Sequence, residues 1–277
     1  MTWIEKMFKV KKPIIAMLHL DALPGDPRFD SNTKMTTIIN HARTDLNSLQ
    51  EGGVDGILIS NEMSLPYQRH VSFVTPAAMA RIIGELKHNI SIPFGVDCIS
   101  DGQATIELAA AVDADFVRGT FSGVYVGDGG FYNNDISNIL RIKKSLFLND
   151  LKLLYFINPE SDINLDTRSL VDIAKSLVFK AHPDGMCVSA SGAGQDVNNT
   201  LMSNVKKSLP NEVVICNTGC RPETIEEKLK IADAAIVGTY FKENGNLEND
   251  NFENVRVDKN RVQNFMNIVQ NIRNNLK

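Results

Sequence analysis

Three side chains of this 277-residue chain could together perform chemistry: His19 and Asp97 can transfer protons, and Arg118 can bind an anion. A carboxylate in a partly dry cavity has its pKa raised toward neutrality, so Asp97 is predicted to act as general acid or base. His19 is the natural proton shuttle, because imidazole changes charge near physiological pH. Arg118 can clamp a carboxylate or phosphate through two parallel hydrogen bonds. The structural alternatives are an Asp97–Arg118 ion pair and a hydrogen-bonded, non-catalytic His19.

Glycine and hydroxyl residues form a second group, which could hold phosphate. Residues 213 to 221 read VVICNTGCR, so an apolar run passes directly into Thr218 and Gly219, and Pro222 predicts a helix start. Small residues let a ligand approach the backbone, and a helix N-terminus offers free N–H groups with a favourable dipole. The alternative is that these glycines only form tight turns. The predicted phosphate-binding residues are Thr218, Gly219, Gly238, Thr239, Ser191 and Gly192.

The sequence gives little support for a cofactor. Cys216 and Cys220 are four residues apart, but a structural zinc site needs four ligands, so buried thiols are the better interpretation. Mg²⁺ stays open, because Asp97 with Asp21 or Glu62 would suit it. The chain's Gly-Ala-Gly run lacks the spacing of a dinucleotide fingerprint, which argues against nicotinamide or flavin.

These residues need a scaffold that brings the ends of distant strands together. Short apolar runs alternate with amphipathic helices, and such runs are typical of a parallel sheet covered on both faces. Thr75 and Pro76 predict the N-cap and first turn of one helix, and residues 1–9 predict a short amphipathic helix. The predicted strands are Ile14–Leu18, Gly56–Ile59, Phe94–Cys98, Phe116–Arg118, Leu153–Ile157, Met186–Ser189, Val213–Cys216 and Ala235–Val237.

A turn containing aspartate and a small residue recurs before every second predicted strand. Aspartate bonds nearby backbone N–H groups, and glycine or alanine lets the chain bend. Four occurrences predict a pseudo-fourfold repeat of two βα units. Eight such units form a closed (β/α)₈ TIM barrel, here a single domain over residues 1–277, and an open doubly wound sheet is the runner-up. The turns are Val54-Asp55-Gly56, Val112-Asp113-Ala114, Pro183-Asp184-Gly185 and Ala232-Asp233-Ala234.

Composition narrows the classes of partner. A formal charge of −4 and dispersed Lys and Arg argue against nucleic acid, and no apolar run is long enough to span a bilayer. The hydrophobic content of 43% is ordinary for a chain that buries a substantial core. Four cysteines in a chain of this size predict reduced thiols and a cytoplasmic location. A homo-oligomer is expected by analogy with other barrels.

Several motifs resemble the BtpA/SgcQ family. Leu23-Pro24-Gly25-Asp26-Pro27-Arg28 and the preceding Met17-Leu18-His19-Leu20 are similar to that family's opening signature. The likeness continues nearly to the end of the chain, and it implies a phosphate-binding TIM barrel of the ribulose-phosphate-binding kind. The family is named for a role in photosystem I biogenesis, and other members are associated with sugar utilisation. Three further matching stretches are Glu51 to Ile57, Ala114 to Arg118, and Ile236 to Thr239 with Lys242.

Two functions follow as expectations. The first is an enzyme that binds a small phosphorylated metabolite, such as a sugar phosphate, and catalyses isomerisation, epimerisation or carbon–carbon cleavage. The second is a non-catalytic ligand-binding or assembly factor on the same scaffold. The replaced residues after the fifth strand, Asn158-Pro159-Glu160, favour the second. Two other departures from the family pattern are Ser60 before Asn61 and Asp97 where Asn is common.

Overall fold

A computed structural model describes residues 2–192, 194–243 and 255–275 of the protein. The predicted domain ends, Met1 and Lys277, lie outside the described residues, and so does Ala193 of the Gly-Ala-Gly run. Helices and strands alternate along almost the whole of the described chain. The strands are β1 (Ile14–His19), β2 (Gly56–Ser60), β3 (Phe94–Asp97), β4 (Phe116–Gly119), β5 (Val124–Gly127), β6 (Gly130–Asn133), β7 (Lys152–Asn158), β8 (Ile163–Asn164), β9 (Gly185–Val188), β10 (Val214–Cys216) and β11 (Ala234–Val237). The α-helices are α1 (Trp3–Phe8), α2 (Met35–Glu51), α3 (Val74–Leu86), α4 (Gly102–Val112), α5 (Ile136–Ser145), α6 (Leu170–Ala181), α7 (Asn199–Ser208), α8 (Ile225–Ile231) and α9 (Lys259–Asn275).

Eight of these strands form a closed parallel barrel in the order β1-β11-β10-β9-β7-β4-β3-β2. All eight predicted strands are present, each within about a residue of its predicted ends. The ring closes where β1 pairs with β11 in parallel, with Ile14 opposite Ala235. The (β/α)₈ prediction is therefore confirmed, and the open doubly wound sheet is excluded.

The helix α1 closes the bottom of the barrel. Ile4 and Phe8 pack on the residues that fill the interior, and the Phe8 and Phe116 rings meet edge-on at 5.8 Å. The Trp3 indole donates a hydrogen bond of 2.8 Å to the backbone carbonyl of Asp184. A capping box between Thr2 and Glu5 starts this short helix. Any ligand must therefore enter from the opposite end, where the strands finish.

The recurring aspartate turn fastens pairs of strands at that closed end. Each aspartate lies just before an even barrel strand, and its carboxylate accepts from the first N–H of the preceding odd strand at 2.7–3.0 Å. Its own N–H donates to the carbonyl of that same residue. The fourfold pattern therefore has a physical cause, a two-bond clamp between strands. The pairs are Asp55 with Ile14, Asp115 with Phe94, Asp184 with Leu153 and Asp233 with Val214.

One member of the predicted set was assigned to the wrong aspartate. Asp113 is exposed and caps the end of α4 in the left-handed conformation, with φ 54°. The clamp is made by Asp115, two residues later. Replacing Asp115 with alanine is expected to lower the free energy of unfolding by about 1–2 kcal/mol, because Phe94 N–H loses its partner. Asp113→Asn, which tolerates the same conformation, is the control and should stay within about 0.5 kcal/mol in urea denaturation.

Two helix starts differ from the predictions. Thr75 is buried inside the first turn of α3, which begins at Val74 after Phe73, so Thr75 is not the N-cap. Pro222 lies in a turn, and α8 begins only at Ile225. The Thr224 hydroxyl accepts from Arg221 N–H and donates to the Gly219 carbonyl, so the intervening residues close the loop instead of extending the helix.

A small sheet in the order β6-β5-β8 lies outside the barrel ring. Its hairpin turn contains Asp128. Tyr125 and Tyr132 are buried on one face of the hairpin. Arg69 stacks 4.2 Å from the centre of the Tyr132 ring and forms an ion pair of 3.2 Å with Asp162, which ties the hairpin to two other loops. Within the described ranges, no helix is both long and apolar enough to cross a bilayer.

Candidate active site

A polar cavity opens at the C-terminal end of the barrel strands. Its wall is formed by residues at or just after the ends of β1, β2, β4, β7, β9, β10 and β11, which is where active sites of such barrels occur. The lining residues are Met17, His19, Glu62, Arg118, Glu160, Gly194, Asn217, Thr218, Gly219, Cys220, Arg221, Val237, Gly238, Thr239 and Tyr240.

One side of the cavity is built from small residues after β10 and β11. Gly219 has φ +67°, and a Cβ there would lie 2.2 Å from the Gln195 carbonyl oxygen, so only glycine fits. A Cβ on Gly238 would lie 3.1 Å from the His19 ring. The Thr218 hydroxyl accepts from Ala190 N–H at 2.8 Å and still has its proton to donate. We call Thr218, Gly219, Gly238 and Thr239 the glycine rim.

The loop after β9 contributes differently from the prediction. Ser191 is exposed and donates to the Gln195 side chain at 2.7 Å, and neither Ser191 nor Gly192 is part of the cavity wall. Gly194 takes that place, with the Thr239 side chain 3.6 Å from its Cβ position. The Arg221 guanidinium donates to the Gly194 carbonyl at 3.2 Å, which adds a cation to the rim.

A hydrogen-bonded network of five side chains crosses the floor of the cavity. Arg118 Nε donates to Asp97 at 2.9 Å, and Arg118 Nη1 donates to the Asn217 side-chain oxygen at 3.1 Å. The Asn217 amide in turn donates to Glu160 at 3.1 Å and to the Ser189 hydroxyl at 3.1 Å. Asp97 is buried behind Arg118 and does not line the cavity. This arrangement is the ion pair that the sequence left open as the alternative for Asp97.

Two glutamates of the cavity have perturbed acidity. Burial raises the pKa of Glu160 to about 7, and the Arg118 charge opposes that increase only partly. Burial also raises the pKa of Glu62, which accepts hydrogen bonds from the Tyr67 and Ser60 hydroxyls. A carboxyl group that titrates near pH 7 is suited to giving and taking protons at neutral pH.

His19 is held neutral. Burial lowers its pKa well below the ordinary value, and the positive charges of Lys242 and Arg118 act in the same direction. Its Nε2 lies 3.8 Å from Glu62, and its Nδ1 is buried with no hydrogen-bond partner among the described residues. His19 therefore faces the cavity as a neutral imidazole with a free polar atom.

Two of the carboxylates considered for Mg²⁺ are held in ion pairs. Asp97 is paired with Arg118, and Asp21 is held by His41 at 2.6 Å and by Arg256 at 2.7 Å. In the described part of the chain, no three His, Cys, Asp or Glu side chains are placed to hold a metal ion. Glu62, the third of these carboxylates, lines the cavity.

The predicted cysteine pair lies below the glycine rim. Cys216 and Cys220 are both buried, and their sulfur atoms are 3.5 Å apart as free thiols. Both contact the Thr218 carbonyl at 3.5–3.8 Å. They pack under the loop that carries Gly219.

Three cavity residues were missed as functional candidates, Glu160, Asn217 and Arg221, and Glu62 was considered only as a magnesium ligand. Each lies within about five residues of the end of a barrel strand, which is the signal that could have found them. His19, Asp97 and Arg118 were predicted because they lie at the strand ends themselves. In β7 a register irregularity between Phe156 and Asn158 precedes Pro159, so the chain bends and brings Glu160 to the cavity.

Fold and site together define a (β/α)₈ barrel that carries a polar cavity, with a glycine rim and half-buried acidic groups, at the C-terminal end of its strands. The sequence model of the BtpA family matches residues 10–271, so the chain belongs to the BtpA family. It is 42% identical over 273 residues to the sgc region protein SgcQ of Escherichia coli K12, which covers 99% of this chain and 100% of that protein.

A more distant relative and a solved structure complete the comparison. The photosystem I biogenesis protein BtpA of Synechocystis is 26% identical over 256 residues, covering 90% of this chain and 87% of the relative. The (S)-3-O-geranylgeranylglyceryl phosphate synthase of Thermoplasma acidophilum, solved with its substrate sn-glycerol-1-phosphate, superposes with a TM-score of 0.61. That match has 14% identity and covers 98% of this chain and 99% of the synthase, so it supports the fold alone.

Proposed function

We propose that the chain is an enzyme that binds a small phosphorylated metabolite, such as a sugar phosphate, and moves a proton on it. The observation that carries this proposal is the composition of one cavity. Its lining includes the glycine rim and Arg221 together with Glu160, Glu62 and Arg118. One cavity can therefore bind a phosphate dianion at the rim and place a proton-transferring carboxyl group beside the same ligand.

The glycine rim suits phosphate for electrostatic and steric reasons. Backbone N–H groups and hydroxyls at small residues can contact phosphate oxygens directly, and the loops after the last two barrel strands are the usual phosphate site in this fold. Arg221 adds a positive charge at the edge. The likeness in fold to a synthase solved with glycerol phosphate fits this assignment but does not by itself establish it.

The remaining groups divide the proton transfer between them. Glu160, with its pKa near 7, takes a proton from carbon beside a carbonyl, and Arg118 stabilises the negative oxygen that develops. Neutral His19 and Glu62 give or receive a proton at the neighbouring oxygen. Asp97 keeps Arg118 oriented, so the general acid or base role first considered for Asp97 passes to Glu160. This set of roles suits isomerases, epimerases and lyases.

The second candidate is a non-catalytic ligand-binding or assembly factor, favoured by the name of the Synechocystis relative, photosystem I biogenesis protein BtpA. It would use the same rim without turnover. For both candidates we propose a cytoplasmic homo-oligomer without nucleic-acid partners. The reduced thiols support the location, the net negative charge argues against nucleic acid, and the oligomeric state is proposed by analogy with other barrels.

A thermal-shift screen with phosphorylated sugars and inorganic phosphate tests the proposal. Binding should raise the melting temperature of the wild-type protein, because a ligand that binds only the native state stabilises it. Gly219→Ala should abolish that increase, since the new methyl group collides with Gln195 and shifts the rim. Gly84→Ala is the matched control, because a Cβ there meets nothing within 4 Å and the residue lies in α3.

Hits from the screen are then assayed for turnover. Conversion of a phosphorylated ligand that Glu160→Gln loses would support the enzyme. Stabilisation without turnover for every hit would support the binding factor. A rim that gives no phosphate-dependent shift in any condition would overturn both.

A further inference from the structure

The cavity contains more acidic groups than its basic groups neutralise. Asp97 and Arg118 form a closed ion pair of 2.9 Å. Glu62 and Glu160 lie beyond it, and their hydrogen-bond partners are the neutral side chains of Ser60, Tyr67 and Asn217. Over residues 2–192, 194–243 and 255–275, no lysine or arginine forms an ion pair with either glutamate.

The nearby histidine does not supply the missing charge. His19 Nε2 is 3.8 Å from Glu62, but burial, Lys242 and Arg118 keep the imidazole neutral. Its buried Nδ1 has no partner in the described chain. A native buried polar atom is nearly always hydrogen-bonded, so an unpartnered one in a side chain that lines the cavity points to a ligand. A neutral imidazole offers one acceptor nitrogen, which an N–H donor would satisfy.

A carboxylate that is taken out of water without a counter-charge is costly, and a cation restores the balance. The described side chains offer no three-ligand group for a metal ion. An ammonium group needs less: a few oxygen acceptors and no fixed coordination geometry. In the proposed function, the glycine rim binds the phosphate end of the ligand.

We infer that the deep part of the cavity binds a protonated amine between Glu62 and Glu160, so that the natural ligands are phosphorylated amines. The phosphate half rests on the proposed function, and the ammonium half rests on the two unpaired glutamates and the free His19 nitrogen. The ligand class is thus narrower than sugar phosphates in general, and it includes amino sugars that carry a phosphate.

Two matched ligand series test this inference by isothermal titration calorimetry. The first contains ω-aminoalkyl phosphates of increasing chain length, and the second contains ω-hydroxyalkyl phosphates of the same lengths. At pH 8 we expect the best amino member to bind at least about tenfold more tightly than its hydroxyl counterpart, which corresponds to one well-made charged contact. The alkyl chain length is varied so that one member of each series matches the distance between the glycine rim and the glutamates.

The pH dependence gives a second readout. The groups that act on Glu160 are Arg118, Glu62 and Asp97, with Tyr67 and Cys187 nearby. Glu160 is ionised above its pKa of about 7 and protonated below it, whereas an alkylammonium keeps its charge throughout. The preference for the amino series should therefore shrink as the pH falls from 8 to 6.

Glutamine variants assign the effect to its source. Glu160→Gln and Glu62→Gln should each reduce the preference for the amino series several-fold, and Glu85→Gln, an exposed residue of α3, should not. If either variant fails to fold, the two ligand series on the wild-type protein still decide. Equal or tighter binding of the hydroxyl series would overturn the amine inference and leave the phosphate site intact. Binding of neither series would overturn both.

Discussion

Replacing Arg118 with methionine is expected to lower the free energy of unfolding by about 3–5 kcal/mol, because Asp97 is left buried without its counter-charge. Asp97 is 3% exposed and Arg118 is 7% exposed, so solvent cannot take over the role of the lost partner. Asn217 loses its donor in the same substitution. The measurement is urea denaturation followed by circular dichroism.

A double-mutant cycle separates the ion pair from simple loss of packing. Asp97→Asn combined with Arg118→Met should cost much less than the sum of the two single changes, since no unpaired charge remains. The Phe156 ring, 4.9 Å from the guanidinium, packs against the methionine in both backgrounds. Additive single effects would contradict an energetic coupling between Asp97 and Arg118.

The pH dependence of the Arg118→Met effect has a definite sign. Burial already raises the pKa of Asp97, and Arg118 is the group that pulls it back down. Without Arg118 the folded-state pKa rises further above the unfolded value, so the native state binds a proton more readily than the unfolded chain. The loss of stability relative to wild type should therefore increase as the pH rises and shrink toward acid pH.

The barrel could be predicted from sequence because its signals are local and repeated. Residues of β1 such as Ile15 and Leu18 are buried on both faces of the sheet, so the strand reads as a continuous apolar run. The aspartate clamp added a repeat that only a closed fourfold arrangement explains. Asp113 and Asp115 fit the same pattern, however, and only the register of β3 against β4 decides which carboxylate reaches Phe94 N–H.

The site was predicted less completely, for a geometric reason. His19, Arg118, Thr218 and Gly238 lie directly at strand ends, where the fold fixes their position. Glu160 depends on the irregularity in β7 and on Pro159, which no periodicity reveals. Its acidity depends on residues far away in the chain, Arg118 and Asn217, so it could not be assigned before these were placed in space.

The hairpin of β5 and β6 was also missed as secondary structure. Its strands are four residues each and are joined through glycine at Gly127, Gly129 and Gly130, which reads as a loop. The buried faces of Tyr125 and Tyr132, the Arg69 contacts and the pairing of β5 with β8 hold it as a sheet. Short strands stabilised by tertiary contacts carry little signal of their own.

Glu160→Gln is expected to lower kcat by about 10²–10⁴-fold on a substrate found in the ligand screen, with little change in KM. The amide keeps the size of the side chain and can still accept from Asn217, but it cannot take a proton. Wild-type kcat/KM should rise with pH through about 7, because the base must be ionised. The variant should not show this rise in kcat/KM. Steady-state rates over a pH series measure both.

Stability distinguishes this loss from misfolding. The folded-state pKa of Glu160 is raised, so its ionisation costs stability as the pH rises from the ordinary carboxyl value toward about 7. Removing the ionisable group should therefore leave the protein equally stable or more stable at pH 8, while activity falls, as is typical of residues held at a catalytic site. Glu85→Gln should change neither property. Full turnover by a folded Glu160→Gln protein would show that another group carries the proton, and the neighbouring Glu62 would then be the residue to replace.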